Sequence, residues 1–448
     1  MYDPTIYNHH VTAPSYWEAT VQRKDGDFPA LTGDASCDVA IIGGGFTGLS
    51  AALHLARNYG LNARVLEAGP IAWGASGRNG GFCCLPASKL PISKLIDRYG
   101  LEETKRFFAA QLDGMDLVKD LLAQEDIDAE ACGNGNFEVA HSPKVFPGFT
   151  QDADLLTRLF GIETEVFSPE DFTKIGHGGQ EQFGAMLMKV GFALHPLKFS
   201  LGMARAAKRH GATLYGESKV IDWQVEKSGR HLLKTPSGEL SADQVIIATN
   251  GYTTEGLHRA IDQRVLPVLS NIIVTEPLDE ALLQAESFHT LTPICNSRNL
   301  LFYYRRLPDR RILFGARGDT TGTEADGEKM RAWMTRRLGQ VFPAWKDVPI
   351  AYFWRGLTCM TRKLTPSVGQ WADDPSVWYG YGYHANGVNT APWTGRLLAQ
   401  LIGGNTRPED EIPQIMAGPP QPLPIPSLRP WYLRGALAYY RLRDRISS

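Results

Sequence analysis

The sequence predicts an α/β fold of the doubly wound, Rossmann-like kind, interleaved with a second α+β domain rich in β-sheet. Three observations carry this prediction. Between Cys37 and Glu67 a short apolar strand runs into Gly43-Gly44-Gly45-Phe46-Thr47-Gly48, an apolar helix pattern follows, and a second strand ends in an acid. The run Gln244-Val245-Ile246-Ile247-Ala248 reads as a buried strand stopping at a small-residue turn, and residues 377–403 return to strand, glycine turn and helix. Between these parts lie β-rich stretches within 270–318 that belong to a different sheet.

In chain order, residues 1–36 read as an irregular arm with Pro14, Pro29 and several aromatics. The first nucleotide segment, 37–100, carries the motif. Gly43 permits a tight turn, Gly45 lets the backbone approach a pyrophosphate, and Gly48 lets helix and strand pack closely. Phe46 and Thr47 open the helix, whose N-terminus supplies free N–H donors and a positive dipole end. Glu67, nineteen residues after Gly48 and followed by Ala68, is placed to accept from ribose hydroxyls. Residues 39–56 hold no formal charge, but three consecutive glycines argue against a membrane span. Gly48-Leu49-Ser50 lacks the lysine of a P-loop.

Residues 101–124 have helical spacing (Phe108, Leu112, Met115, Leu122), and 133–140 reads as a turn before a strand. The stretch 101–190 is therefore assigned to the second domain, as is 263–350 with its β-rich runs and a basic helix at 328–341. The stretches 191–262 and 351–410 return to the nucleotide domain. The first of these holds a helix at 199–210 and strands at Thr213–Tyr215, Lys219–Ile221 and Arg230–Lys234; the second places its final helix at Trp393–Leu401. Residues 411–448 form a Pro-rich, basic tail, with seven prolines between 413 and 430. It is expected to dock on its own protein, so membrane contact is not expected.

Composition agrees with a globular protein: 43% hydrophobic and 21% charged residues. A net charge of −2 offers no reason for a nucleic-acid partner. The six cysteines show neither C-x-x-C nor zinc spacing, so free thiols and no metal are expected. The N-terminus lacks a basic region and apolar core of a signal peptide, which points to the cytoplasm.

The glycine motif alone does not separate NAD from FAD; three further features favour a flavin. Gly74-Ala75-Ser76-Gly77-Arg78-Asn79-Gly80-Gly81 is a second glycine-rich loop beside an arginine. Thr249-Asn250-Gly251 ends a strand where another nucleotide-facing loop belongs. Gly387, Val388 and Asn389 precede a helix whose N-terminus would stabilise charge on a reduced ring.

On these loops, with Leu194-His195-Pro196-Leu197-Lys198 and the closing Tyr439-Tyr440-Arg441-Leu442-Arg443-Asp444-Arg445, the chain resembles the D-amino-acid-oxidase-like family of FAD-dependent oxidoreductases, and within it the gamma-glutamylputrescine oxidase branch. The resemblance implies a Rossmann-like FAD-binding domain interleaved with a β-sheet-rich substrate domain. It implies extended FAD, with Val220 at the adenine and Gly387, Val388 and Asn389 at the ring system. It also implies a reaction: hydride leaves the carbon next to a substrate nitrogen for flavin N5, the imine hydrolyses, and O2 or another acceptor reoxidises the flavin. The substrate would be a small amine or amino acid, such as a gamma-glutamylated amine or an N-substituted amino acid. Arg355-Gly356-Leu357-Thr358-Cys359-Met360 resembles the stretch around the flavin-linking cysteine of sarcosine-oxidase-like relatives. FAD is expected to be noncovalent, with Cys359 the candidate should a covalent link exist. A lysine of those relatives, associated with O2 reduction, is replaced by Leu313.

For catalysis the candidates are Arg317 and Arg305 as carboxylate clamps, Tyr304 (with Tyr303) as a wall of the amine pocket, and His384 beside the flavin loop. Two alternatives stay open on sequence: an NAD(P)-dependent dehydrogenase, and a flavin-binding protein without turnover.

Overall fold

The computed structural model describes residues 1–448 apart from Asp25, Asn405 and Ser448. Two eight-stranded sheets organise it. In the first, the strand Gly33–Ile42 lies between Ala63–Leu66 and Gly238–Ile247, parallel to both. Thr213–Tyr215 extends the sheet on one side, Asp374–Tyr381 extends it on the other, and Ser367–Trp371 closes that edge antiparallel. The hairpin of Asp222–Val225 and His231–Lys234 also hangs on Gly238–Ile247. Parallel strands covered on both faces need apolar side chains all round. Val39, Ala40, Ile41 and Ile42 are accordingly all buried.

The helix Phe46–Tyr59 packs against Pro196–Arg209 and Gly387–Gly403. A Cβ on Gly395 would sit 2.3 Å from the Thr47 carbonyl oxygen and 2.7 Å from the Ala51 nitrogen, so only glycine admits this helix crossing. Ser50 Oγ donates to the Pro392 carbonyl at 2.7 Å across the same contact.

The second sheet runs in the order Ile350–Thr361, Val265–Thr275, Ile312–Arg317, Tyr303–Arg306, Ile294–Asn296, Asn136–Val139, Ala185–Met188, Thr164–Phe167. All its pairs are antiparallel except Ile294–Asn296 with Asn136–Val139. One face packs on Phe172, Phe288, Phe342 and Trp345, and the helix Glu324–Val341 covers part of it. The other face looks toward the first domain. The helix Leu101–Gln124 packs on Gly387–Gly403, where Trp393 Nε1 donates to Asp113 at 2.8 Å.

Several elements differ from expectation. The boundary at 351 falls inside Ile350–Thr361, which pairs along Val265–Thr275 and so belongs to the second sheet. The final helix of the first domain starts at Gly387, not Trp393, because Pro392 is accommodated inside it. Pro392 gives up only the N–H that would reach Val388. Lys219–Ile221 is not a strand; the hairpin begins at Asp222. The arm carries two short helices, Pro4–Tyr7 and Tyr16–Ala19, and gives way to the first strand at Gly33.

The tail forms the helix Arg429–Ser447. Leu433 and Leu437 pack with Tyr2, Ile6, Val268 and Leu269, and the Asp444 carboxylate accepts the backbone N–H groups of Asn299 (2.8 Å) and Leu300 (3.0 Å). Among the described residues no helix is long and apolar enough to cross a membrane.

Candidate active site

Between the two sheets lies a cavity of about 750 Å3. Its floor is built by the expected loops. Gly43, Gly45, Phe46 and Thr47 line it, with Glu67 and Ala68 from the end of the second strand. Gly43 has φ +110°, and a Cβ there would lie 2.8 Å from the Ala248 oxygen. Gly48 does not line the cavity: its Cβ would fall 2.0 Å from the Gly43 oxygen, so it shapes the turn from behind. The Glu67 carboxylate accepts N–H groups from Gly44 (2.6 Å) and Ala68 (2.8 Å), and burial pushes its pKa up. Two helix N-termini, at Phe46 and Gly387, open on the cavity.

The second loop lines it through Gly74, Ala75, Ser76, Arg78, Asn79 and Gly80. Ser76 Oγ accepts the Phe46 N–H at 2.8 Å, tying the two glycine-rich loops together. The Arg78 guanidinium lies 4.1 Å from the Trp73 ring centre; its Nε donates to the Trp73 carbonyl, and its buried Nη2 has no partner among the described residues. Gly81 stands outside the lining: with φ +77° and a Cβ position 1.9 Å from the Leu194 oxygen, it turns the loop. Val220, Thr249, Asn250, Gly251, Gly387 and Val388 all line the cavity. Asn250 also accepts the Gly382 N–H at 2.9 Å, joining two loops. Asn389 is turned away, its Nδ2 donating to the Gln111 carbonyl at 3.1 Å within the helix packing. A dinucleotide-flavin fits this floor. Glycines stand where a Cβ would collide, a carboxylate stands at the end of the second strand, and a guanidinium nitrogen without a partner among the described residues lies beside the second loop.

The roof comes from the second sheet, and here strand alternation separates the candidates. Tyr303 and Arg317 line the cavity. Tyr303 and Ser270 hydroxyls hydrogen-bond at 2.8 Å. Tyr304 points to the opposite face, into the phenylalanine core, where its hydroxyl meets His177 Nε2 at 2.8 Å. It is not a wall of the pocket. Arg305 shares the face of Tyr303 but is spent on backbone: Nε donates to the Gly80 carbonyl at 3.0 Å and Nη2 to the Leu194 carbonyl at 2.7 Å. It pins the second loop and is not a clamp.

Arg317 is the remaining arginine candidate. Among the described residues it has no acid partner, its buried Nε has no acceptor, and burial holds its pKa below the usual range. His384 lines the cavity, but Nε2 lies 3.2 Å from the Thr365 carbonyl and Nδ1 lies 3.1 Å from Met360 Sδ. Burial brings its pKa down to about 3, so it is a neutral structural imidazole. It sits in a strained turn with φ +51°, followed by Ala385 at +75°. Cys359 lines the cavity too, and burial pushes its thiol up to about 12.

Lys89 escaped the sequence reading. It projects into the cavity, accessible from within it yet packed round by protein, and its amine makes no hydrogen bond or ion pair among the described residues. Burial and the neighbouring Arg317 hold its pKa down to about 8. The available signal was its isolation as the one charge between Arg78 and Lys94.

A two-sheet fold with these loops defines a flavin-dependent oxidoreductase. The family model described as FAD dependent oxidoreductase (DAO) matches residues 38–401, and the chain belongs to that family. The chain is 30% identical over 437 residues to gamma-glutamylputrescine oxidoreductase of Escherichia coli, covering 96% of this chain and 98% of that one. It is 31% identical over 425 residues to the probable oxidoreductase OrdL of Haemophilus influenzae, covering 94% and 93%. The glycine oxidase structure from Geobacillus kaustophilus shares the fold, with a TM-score of 0.69 at 20% identity over 84% of this chain and 98% of that one. Family membership sets aside the NAD(P)-dependent and non-catalytic alternatives.

Proposed function

We propose that the chain oxidises an amine or amino acid whose carboxylate is held by Arg317. The observation that carries this reading is a guanidinium without an acid partner, facing a cavity floored by the FAD loops. Bound FAD supplies the two-electron acceptor for a hydride from the carbon next to nitrogen. The protein's own part is positioning and water exclusion. Arg317 would fix the carboxylate, Tyr303 would form the adjoining wall, and Arg305 would keep the second glycine loop rigid beneath it. Lys89, its pKa lowered to about 8, would take the proton that a substrate ammonium must lose before hydride can leave. The 30% identity to gamma-glutamylputrescine oxidoreductase supports a gamma-glutamylated amine as substrate.

The test is anaerobic addition of amines and amino acids to the purified yellow protein. Substrates should bleach the absorbance at about 450 nm, where oxidised flavin absorbs. If none of a panel including gamma-glutamylputrescine, glycine and sarcosine bleaches it, the reading is wrong. Admitting air afterwards reads the acceptor, since rapid return of colour identifies O2.

FAD is noncovalent in this reading, because among the described residues no cation acts on the Cys359 thiol to favour a thiolate, and burial disfavours one. Acid precipitation should leave the yellow colour in the supernatant. Colour retained in the pellet, and lost from it in Cys359→Ser, would show a thioether instead.

A further inference from the structure

The cavity continues past Arg317 along the second sheet. The strand register places Gly315, Tyr303, Cys295, Glu138 and Met186 in one row across five neighbouring strands. The last four of these line the cavity. Arg317 lies two residues from Gly315 on the same face. Three strand spacings, about 14 Å, separate its strand from that of Glu138.

The far end has the opposite character from the Arg317 end. Glu138 faces the cavity without a hydrogen-bond or ion-pair partner among the described residues; burial and then Asp152 push its carboxyl up to about 7. Asn136, two residues away on the same face, is only 3% exposed, and its Oδ1 has no partner among the described residues. Asp152 lines the cavity from the helix Phe149–Phe160. The surfaces between are apolar: Met186, Met188, Leu156 and Phe108. Unpaired acceptors in such surroundings are costly unless a ligand brings the donors. A group with several N–H donors and a positive charge satisfies both acceptors at once; a carboxylate brings no donor to Asn136 Oδ1, and a hydrocarbon satisfies neither.

We infer that this end of the cavity is a subsite for a second, non-reacting ammonium of the substrate, held by the Glu138 carboxylate and Asn136 Oδ1, with Asp152 adding to the field. The inference rests on the amine-oxidising reading and narrows its substrate class. The substrate carries a cationic nitrogen separated by an apolar chain from the carbon that loses hydride. Aliphatic diamines, and amino acids whose side chain or N-substituent ends in an ammonium, have this chemistry.

The test titrates the FAD-loaded enzyme with 1,8-diaminooctane and with n-octylamine, following the shift of the flavin spectrum, which needs no turnover. A charge-assisted contact is worth about 1.5–3 kcal/mol, so the diamine should bind about tenfold tighter or better. Glu138→Gln should abolish that preference while octylamine affinity stays within about twofold, which also shows that the variant is folded. Asp152→Asn, on an accessible helix position, should reduce the preference about two- to threefold, as expected for a screened charge. Equal affinities in the wild type, or a preference that survives Glu138→Gln, overturn the subsite. Bleaching is scored separately, with the same panel as above. Bleaching without diamine preference leaves amine oxidation standing and removes the subsite. Diamine preference with no bleaching by any amine does the reverse.

Discussion

Arg317→Met is expected to weaken binding of carboxylate-bearing amines about 100-fold while leaving carboxylate-free amines unaffected or bound slightly better. Methionine keeps much of the length and fills the same space, so the difference isolates the charge and its donors. A charge-assisted interaction in a water-poor cavity is worth about 1.5–3 kcal/mol, and 1.4 kcal/mol is tenfold in affinity. The free protein should tolerate the change well, because among the described residues Arg317 has no acid partner to be orphaned and burial already disfavours its charge. Arg317→Lys should recover only part of the loss, since an ammonium does not present the two-pronged fork that a carboxylate accepts. The measurement is a pair of binding constants, from flavin spectral shifts, for one amine with and without its carboxylate. If both constants weaken together, Arg317 shapes the pocket and clamps nothing.

Gly48→Ala is expected to produce a protein that has lost most of its FAD. The added Cβ would lie 2.0 Å from the Gly43 oxygen and 3.1 Å from Ile41 Cγ2, both on the unit that carries the phosphate loop. Relief requires the helix to retreat from the strand or the Gly43 peptide to move. Gly43 has little freedom, since its own Cβ position is 2.8 Å from the Ala248 oxygen. Overpacking costs about 1–3 kcal/mol, which corresponds to FAD binding weaker by about five- to 150-fold. The ratio of flavin to protein absorbance, with far-UV circular dichroism for the fold, reads the effect. Full flavin content in the variant would show that the crossing has slack and that Gly48 is not needed for close packing.

Both predictions concern residues singled out from sequence, but with different security. Gly43, Gly45, Gly48 and Glu67 were legible because their task is local. A tight turn, a close backbone approach and a carboxylate at the end of the next strand occupy one continuous stretch, and glycine is the only residue that meets the steric demand. The parallel strands were legible for a similar reason, since burial on both faces forces an unbroken apolar run.

The roof was legible only as β-strand. Alternation shows that Tyr303 and Tyr304 face opposite ways; which one meets the flavin depends on which side of the sheet the other domain occupies. Arg305 and Arg317 could not be ranked from sequence, because Arg305 is consumed by the carbonyls of Gly80 and Leu194, more than a hundred residues away in the chain. His384 lines the cavity, yet its ring is committed to Thr365 and Met360. Lys89, Asn136 and Glu138 drew no attention as ordinary residues in ordinary segments. What marks them is the absence of a partner inside a shared cavity, and that property exists only after the two sheets have closed on each other.

The sequence by itself determined the cofactor class, the doubly wound domain and the glycine-rich loops that line the cavity floor, because backbone sterics write those requirements into contiguous residues. Only the tertiary structure decided which polar side chains face the cavity, because a side chain becomes available when distant parts of the chain leave it unpaired.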